Sequence, residues 1–200
     1  MKNILVATGN NGKIKEISSI IKSMKIKEIN LLGLFDVGLS GLKPVENGNT
    51  FYQNAYKKAV FYYEKSNMPV IAEDSGLVVP SLNGEPGVIS ARYYFENATD
   101  EDNRRFLLKK MEGIKDRAAY FEAVVIFFDG KNLVTKTGRC YGYITEEERG
   151  NNGFGYDPIF FSPQINKTFG EAKTEEKNRI SHRYIATRDL FEELKFLEII

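Results

Sequence analysis

The chain has 200 residues, of which 42% are hydrophobic and 28% charged, an ordinary composition for a folded protein with its own core. Its formal net charge of +1 provides no overall attraction to nucleic acid or to an anionic membrane. With one histidine and one cysteine, the chain cannot build a Cys/His zinc site or an internal disulfide.

The opening residues MKNILVATGNN turn polar too early for a secretion signal, and no apolar run approaches the ~20 residues of a membrane span. These features predict a cytoplasmic protein in one domain over residues 1–200, without nucleic-acid or membrane partners. Neither Cys140 nor any serine lies in a G-x-S-x-G motif, and Cys140 is expected to be an ordinary buried thiol. Carboxylates and a hard metal ion are therefore the better candidates for catalysis.

The first part of the chain alternates strand and helix patterns. Short apolar runs predict buried strands, and apolar residues at helical spacing predict amphipathic helices. The predicted strands lie at 3–7, 28–34 and 69–74, and the predicted helices at 12–24 and 51–66. Thr50 is expected to cap the second helix, because its hydroxyl can accept a hydrogen bond from the first turn.

The second part carries the clearest sheet signal. Two β-rich runs over 118–145 flank the turn Asp129–Asn132 and predict an antiparallel hairpin. Thr99 is expected to cap a helix over 100–112, and a long helix is predicted from Thr174 to the end of the chain. Its expected core contacts are Ile180, Tyr184, Phe191, Leu194 and Leu197. The order of elements predicts an α/β fold with a mixed sheet.

The first candidate site is the loop between the first strand and the first helix. It comprises Thr8, Gly9, Asn10, Asn11, Gly12 and Lys13. It is not a P-loop, because only two residues separate its glycines and Ile14 replaces the hydroxyl residue that follows the P-loop lysine. Glycines, a helix N-terminus and a lysine nevertheless suit an anion. A plain Gly-rich turn with a solvated lysine is the alternative.

The second candidate site is formed by carboxylates. Glu73 and Asp74 are adjacent at a predicted strand end, so they point to opposite faces unless the chain bends at Ser75–Gly76. With Glu46 from the preceding loop, they suit Mg²⁺, which prefers oxygen ligands. Lys58 lies four residues after Asn54, on the same helix face. Plain surface charges are the alternative interpretation for these acids and for the lysine.

The third candidate site combines a Gly-rich loop with residues near the last helix. Phe154 can stack on a base, and Asp157, which precedes a proline, is expected to be extended rather than helical. Lys177, His182 and Arg183 cluster further along the chain. A purely structural histidine is the alternative, because a lone histidine is more often structural than a ligand.

Six ordered motifs spanning residues 4–184 together resemble the inosine triphosphate pyrophosphatase family, which hydrolyses ITP, dITP and XTP. The motifs are ATGNNGKIKE, ENGNTFYQNAYKKA, PVIAEDSGL, GEPGVISARY, GFGYDPIF and EEKNRISHR. The resemblance implies an elongated, two-lobed α/β fold with a strongly twisted sheet, an active-site cleft between the lobes, and a homodimer. The family often has Asp-Asp before Ser-Gly, whereas Glu73 precedes Asp74 here.

The resemblance also implies roles for individual residues. The loop from Thr8 to Lys13 holds the triphosphate with help from Lys58, Asp74 is the catalytic carboxylate, and Ser75 touches the substrate. Magnesium is organised by Glu46, Glu73 and Asp74. The base pocket is formed by Phe154, Gly155, Tyr156, Asp157, Lys177, His182 and Arg183.

Two other functions stay open beside hydrolysis of purine triphosphates. One is a nucleotide-binding module without turnover, which would not need carboxylates beside a polyanion. The other is a Maf-like pyrophosphatase for modified pyrimidine triphosphates, which the SHR segment after GFGYD disfavours. Both rivals predict a different result in a turnover assay.

Overall fold

The computed structural model describes residues 1–200, apart from the side chain of Asn11. The strands are β1 (Lys2–Val6), β2 (Ile29–Leu32), β3 (Val70–Val78), β4 (Ala118–Phe128), β5 (Leu133–Ile144), β6 (Phe160–Ser162) and β7 (Lys167–Thr168). The helices are α1 (Asn11–Ser23), α2 (Phe51–Ser66), α3 (Asp100–Lys110), α4 (Thr174–Lys177) and α5 (His182–Phe196). Short 3₁₀ turns cover Pro80–Leu82, Gly87–Arg92 and Asp157–Ile159.

The seven strands form one sheet in the order β2-β1-β3-β4-β5-β6-β7. Strand β1 pairs in parallel with both β2 and β3, whereas β6 pairs antiparallel with β5 and β7. Parallel neighbours need a crossover connection, and α1 and α2 lie between these strands in the chain. The predicted α/β fold with a mixed sheet is therefore confirmed.

The chain divides into two compact units, each with its own hydrophobic core. Unit 1 comprises Met1–Asp74, Ala123–Gly138 and Arg183–Ile200, and unit 2 comprises Ser75–Glu122 and Arg139–His182. The unit 1 core packs β1 and β3 with α1, β4 and α5, through residues such as Ile4, Ile17, Ile71, Phe127 and Phe191. The unit 2 core contains Leu77, Leu107, Phe121, Phe160 and Phe169. That the chain forms a single domain stays a prediction.

Local sequence signals set most element ends. The Thr50 hydroxyl accepts a hydrogen bond from the Gln53 amide, 3.1 Å away, and Thr99 forms a reciprocal capping box with Asp102. The Asp129 carboxylate accepts from the amides of Lys131 and Asn132 and closes the β4–β5 hairpin. The predicted caps and hairpin are thereby confirmed.

The prediction of one long C-terminal helix is wrong, because residues 178–181 separate two helices, α4 and α5. The Arg179 and Ile180 amides donate three residues back, to Glu176 and Lys177, so the regular helical ladder ends there. Ile180, within the break, packs against the unit 2 core, whereas Phe191 on α5 packs in the unit 1 core.

One of the expected core contacts in the last helix is also wrong. Leu197 is 46% exposed and lies beyond the end of α5. Phe191 and Leu194 are fully buried as predicted, and Tyr184 is half-buried.

Two backbone predictions near the candidate sites are also wrong. Strand β3 does not end or bend after Asp74 but continues through Ser75 and Gly76 to Val78. Asp157 is not extended but begins a 3₁₀ turn, which its own carboxylate stabilises by accepting from the Phe154 amide. Among the described residues, no helix has both the length and the apolar character needed to cross a membrane.

Candidate active site

The predicted phosphate loop lies between β1 and the first turn of α1. The Thr8 hydroxyl accepts from the Asn10 amide, and the Asn10 side chain accepts from the Lys13 amide, each at 3.1 Å. Asn10 is thus the N-cap of α1, and its side chain serves the helix. The role predicted for the Asn11 side chain falls outside the described residues. The loop leads into the N-terminus of α1, the end of a helix that attracts an anion, and phosphate binding stays a prediction.

The Lys13 ammonium is attracted by nearby carboxylates and repelled by nearby cations. Its Nζ atom is 3.6 Å from the Glu73 carboxylate, and its side chain is 15% exposed. Burial is the main cause that lowers the pKa of Lys13, and the positive charges of Arg183 and Lys58 lower it further, against the attraction of Glu73 and Asp74. A bound polyanion would offset the repulsion between Lys13 and the other two cations, so the position suits a ligand with several negative charges.

Lys58 joins two of the predicted carboxylates. Its Nζ atom on α2 lies 3.0 Å from Asp74 Oδ1 and 2.9 Å from Glu46 Oε2. Burial acts to lower the pKa of Lys58, but the attraction of Asp74 and Glu46 outweighs it, so the pKa is raised. The structure therefore brings Glu46, Lys58 and Asp74 together with Lys58 in its charged form.

Glu73 faces the other side of β3, as alternation along a strand requires. Its two carboxylate oxygens accept from Arg183 Nε at 2.7 Å and Nη2 at 2.8 Å. Arg183 Nη1 donates to Glu16 on α1, and the attraction of both acids raises the pKa of Arg183 despite its burial. We call Glu16, Glu73, Arg183 and Lys13 the buried charge cluster. Arg183, a predicted member of the base pocket, thus pairs with two carboxylates in unit 1.

The two predicted metal-binding carboxylates of β3 lie on opposite faces of the strand, Asp74 towards Lys58 and Glu73 towards Arg183. In the part of the chain that the structure describes, no three Asp, Glu, His or Cys side chains converge as a metal cage. Mg²⁺ is commonly held by only one or two carboxylates, with water and substrate phosphate completing its shell. Asp74 and Glu46, gathered around Lys58, fit that requirement, whereas Glu73 is directed to Arg183. The metal ligands stay a prediction.

A second group of predicted residues lies in unit 2. The Lys177 ammonium is 2.6 Å from Asp157 Oδ2 and 4.7 Å from the centre of the Phe154 ring. The Gly155 amide donates to the Asp100 carboxylate at 2.7 Å, and the Tyr156 hydroxyl donates to the Ser90 carbonyl at 2.8 Å. The loop from Phe154 to Asp157 is therefore held at each of its residues, and a half-exposed ring beside a cation suits a planar base.

His182 and Ser75 also lie in unit 2. The His182 ring stacks on Phe121 at 4.9 Å with planes 14° apart, and it is 5% exposed. Ser75 is half-buried within β3, directly after Asp74. The structure places both residues in regular, packed elements, and their predicted substrate contacts are not tested.

Two buried polar residues were missed as site components. Glu16 is 7% exposed and Asn54 is 1% exposed, and each contacts a predicted site residue. Glu16 lies four residues before Ile20 on α1, so helical spacing assigns it to the buried face. The shared face of Asn54 and Lys58 is likewise visible in the sequence. Neither signal identifies the partner, which comes from another element.

The chain is similar to proteins of one family over nearly its whole length. The model of the Ham1 family matches residues 4–193. A dITP/XTP pyrophosphatase of Desulfotalea psychrophila is 45% identical over 202 residues, covering 98% of this chain and 88% of the relative. A dITP/XTP pyrophosphatase of Staphylococcus epidermidis is 46% identical over 198 residues, covering 98% and 97%.

Solved structures of the same family are similar in fold. The Staphylococcus aureus Ham1 protein has a TM-score of 0.86 at 37% identity, with 97% of this chain and 98% of that chain covered. A HAM1 protein from Coxiella burnetii has a TM-score of 0.88 at 34% identity, with 98% and 99% covered.

Proposed function

Because the chain belongs to the Ham1 family, we infer that it is a nucleoside triphosphate pyrophosphohydrolase acting on non-standard purine nucleotides. The observation that carries this inference within the structure is the arrangement around Lys58, which joins Glu46 and Asp74 in unit 1. The same unit contains the loop and Lys13, a place for a polyanion. A cation and carboxylates near a phosphate site suit phosphoryl chemistry.

In the proposed reaction, a water oxygen forms a bond to the α-phosphorus of ITP, dITP or XTP, and the bond from that phosphorus to the bridging oxygen breaks. The products are a nucleoside monophosphate and pyrophosphate. Asp74 orients the water and accepts its proton, while Lys13 and Lys58 offset the negative charge that gathers on the leaving pyrophosphate. Charge stabilisation of this kind is usually the largest contribution to catalysis.

Mg²⁺ is the proposed cofactor, and Asp74 and Glu46 are its proposed ligands. Bound there, it would supply positive charge to the phosphate oxygens. The support is the chemistry of the donors: two carboxylates in one place, with Lys58 as their present counter-charge. Glu73 is a weaker candidate, because its two oxygens accept from Arg183.

Base selectivity is proposed to depend on hydrogen-bond donors in unit 2. ITP and XTP carry an acceptor oxygen at position 6, where ATP carries an amino donor. Donors such as Lys177 and His182 would pair with the oxygen and be opposed by the amino group. Each buried unsatisfied polar group costs ~1–3 kcal/mol, so two or three give a preference of about 10³ or more.

The test is turnover of a panel of nucleotides. Purified protein with Mg²⁺ is incubated with ITP, XTP, dITP, ATP, GTP and dTTP, and pyrophosphate is measured separately from phosphate. We expect pyrophosphate from the first three. Binding without turnover would establish the nucleotide-binding module instead, and faster turnover of dTTP than of ITP would establish the pyrimidine enzyme.

A pair of variants links turnover to the site. Asp74→Asn should abolish pyrophosphate release in protein that still unfolds in one cooperative thermal transition. Asp116→Asn is the matched control, because Asp116 is an exposed carboxylate that accepts only from the nearby Ala118 amide. Retained turnover in Asp74→Asn would remove the catalytic role of Asp74.

Three further expectations stay proposals. Dependence on Mg²⁺ is tested by adding a chelator and restoring the ion. A homodimer is tested by the mass in solution, and the cytoplasmic location by fractionating cells. The first concerns the reaction directly, whereas the other two leave the proposed chemistry unchanged.

A further inference from the structure

The side chain of Asn54 is almost fully buried, and both its amide nitrogen and its amide oxygen form hydrogen bonds. It lies on α2 and is 1% exposed. Its Nδ2 atom donates to Asp74 Oδ2 at 3.1 Å, and its Oδ1 atom accepts from the Gly48 amide at 2.7 Å. One neutral side chain therefore connects β3 with the loop that precedes α2. We propose that Asn54 is a positioning residue that aligns Asp74 with the loop bearing Glu46, a role that rests on the proposed function.

The contact to Asp74 fixes the orientation of the carboxylate. Asp74 Oδ1 faces Lys58 at 3.0 Å, and Oδ2 faces Asn54, so each oxygen has a different donor. The two donors are one helical turn apart on the same face of α2, which makes their spacing rigid. Rotation of the carboxylate would break both contacts at once, so α2 sets the direction in which Asp74 presents its oxygens.

The contact to Gly48 fixes the loop. Glu46 lies two residues before Gly48, and its own carboxylate reaches the same Lys58 at 2.9 Å. A Cβ atom at position 48 would lie 2.7 Å from Asn54 Oδ1 and also 2.7 Å from Gln53 Cβ, closer than such atoms approach, so the loop backbone needs glycine there. The side chain of Asn54 and the missing side chain of Gly48 thus form one fitted contact.

An asparagine is suited to this double role because its amide offers a donor and an acceptor without charge. An aspartate would place another negative charge beside Asp74, and a leucine would contact neither partner. Asn54 contacts no reacting atom in the proposed reaction. Its effect passes through Asp74 and Glu46, and it should therefore change the rate of the chemical step more than the binding of the triphosphate.

The experiment compares three single variants with ITP and Mg²⁺. Asn54→Leu removes both contacts at nearly constant volume, and Gly48→Ala disturbs the same contact from the loop side. Asn30→Leu is the matched control, because it makes the same change at an exposed asparagine whose side chain donates to Asn3, outside the proposed site. For each folded variant, kcat, KM and the half-saturating Mg²⁺ concentration are measured.

We expect kcat to fall ~10²-fold in Asn54→Leu and Gly48→Ala, the effect of displacing a reacting group by about 1 Å. KM should change far less, the half-saturating Mg²⁺ concentration should rise, and Asn30→Leu should behave as the wild type. The double variant Asn54→Leu with Gly48→Ala should lose little more than either single variant, because both break one contact.

Several outcomes would overturn the inference. An unchanged kcat in folded Asn54→Leu, or a rise in KM alone, would show that Asn54 serves only the packing of α2. If Asn54→Leu does not fold, Gly48→Ala decides by the same measurements. Wild-type protein without turnover of ITP would overturn the proposed function and this inference with it. Turnover in the wild type with normal variants would overturn the inference alone.

Discussion

Substituting Arg183 by methionine should strongly destabilise the protein, because it leaves two buried carboxylates without their cation. Arg183 and Glu73 each have side chains 1% exposed, and Glu16 is 9% exposed on the same measure. Removing one partner of a buried ion pair costs ~3–5 kcal/mol. Lys13 remains 3.6 Å from Glu73 and offsets part of the charge, which favours the middle of that range.

That loss is large enough to measure by thermal unfolding. For a chain of this size, 1 kcal/mol corresponds to ~2–4 °C in Tm, so a loss of about 4 kcal/mol lowers Tm by about 8–16 °C. Arg188→Met is the matched control on the same helix, because Arg188 is 40% exposed and pairs with Asp189 at the surface. A surface substitution of that kind changes stability within about 0.5 kcal/mol.

Two further measurements test the electrostatic reason. Lowering the pH protonates carboxylates, so the deficit of Arg183→Met should shrink toward acid. Adding Glu16→Gln to Arg183→Met should restore part of the stability, because one uncompensated charge is removed. If Arg183→Met lowers Tm no more than Arg188→Met does, the buried charge cluster does not stabilise the fold.

Three further predictions concern single groups. Because the pKa of Lys13 is lowered, its ammonium group loses its proton at a pH below the usual lysine value of 10.5. Binding of inorganic triphosphate should therefore weaken as the pH rises, before pH 10.5 is reached. Constant binding up to pH 10.5 would contradict this. Burial acts to raise the pKa of Asp129, but hydrogen bonds from Asn132 and from the Lys131 amide outweigh it, so the pKa lies below 3.8. The contribution of Asp129 to stability is therefore present above pH 3.8 and is lost as the pH falls through the lower native pKa. Asp129→Asn should therefore flatten the acid limb of Tm against pH. Burial raises the pKa of Cys140 to about 12, so a thiol reagent at pH 8 should modify it only in denaturant; rapid modification of the folded protein would refute its burial.

The parts of the fold that the sequence predicts well are those set by neighbouring residues. Thr50 and Thr99 cap helices through amides three positions ahead, and Asp129 closes its own turn. Such contacts are encoded within a few residues, so pattern and residue type suffice. The burial of Cys140, which is 1% exposed, follows from alternation along β5 in the same way.

The parts that escape prediction depend on distant partners. The bonds of Arg183 reach Glu73 across 110 positions and Glu16 across 167 positions, and nothing local to Arg183 indicates either one. The end of β3 was misplaced for a similar reason: Ser75 and Gly76 allow a bend, but pairing within the sheet extends the strand to Val78. The break before α5 likewise follows from two cores that the sequence pattern does not separate.

The continuity of β3 through Glu73 and Asp74 affects how the sequence can vary in evolution. Because the two side chains leave opposite faces, a change at position 73 is met by Arg183, whereas Lys58 and Asn54 meet only Asp74. A shorter or longer acid at position 73 is then accommodated by Arg183 and Lys13, without moving the partners of Asp74. Two neighbouring residues thereby evolve under separate constraints, one set by the buried charge cluster and the other by the contacts of Asp74.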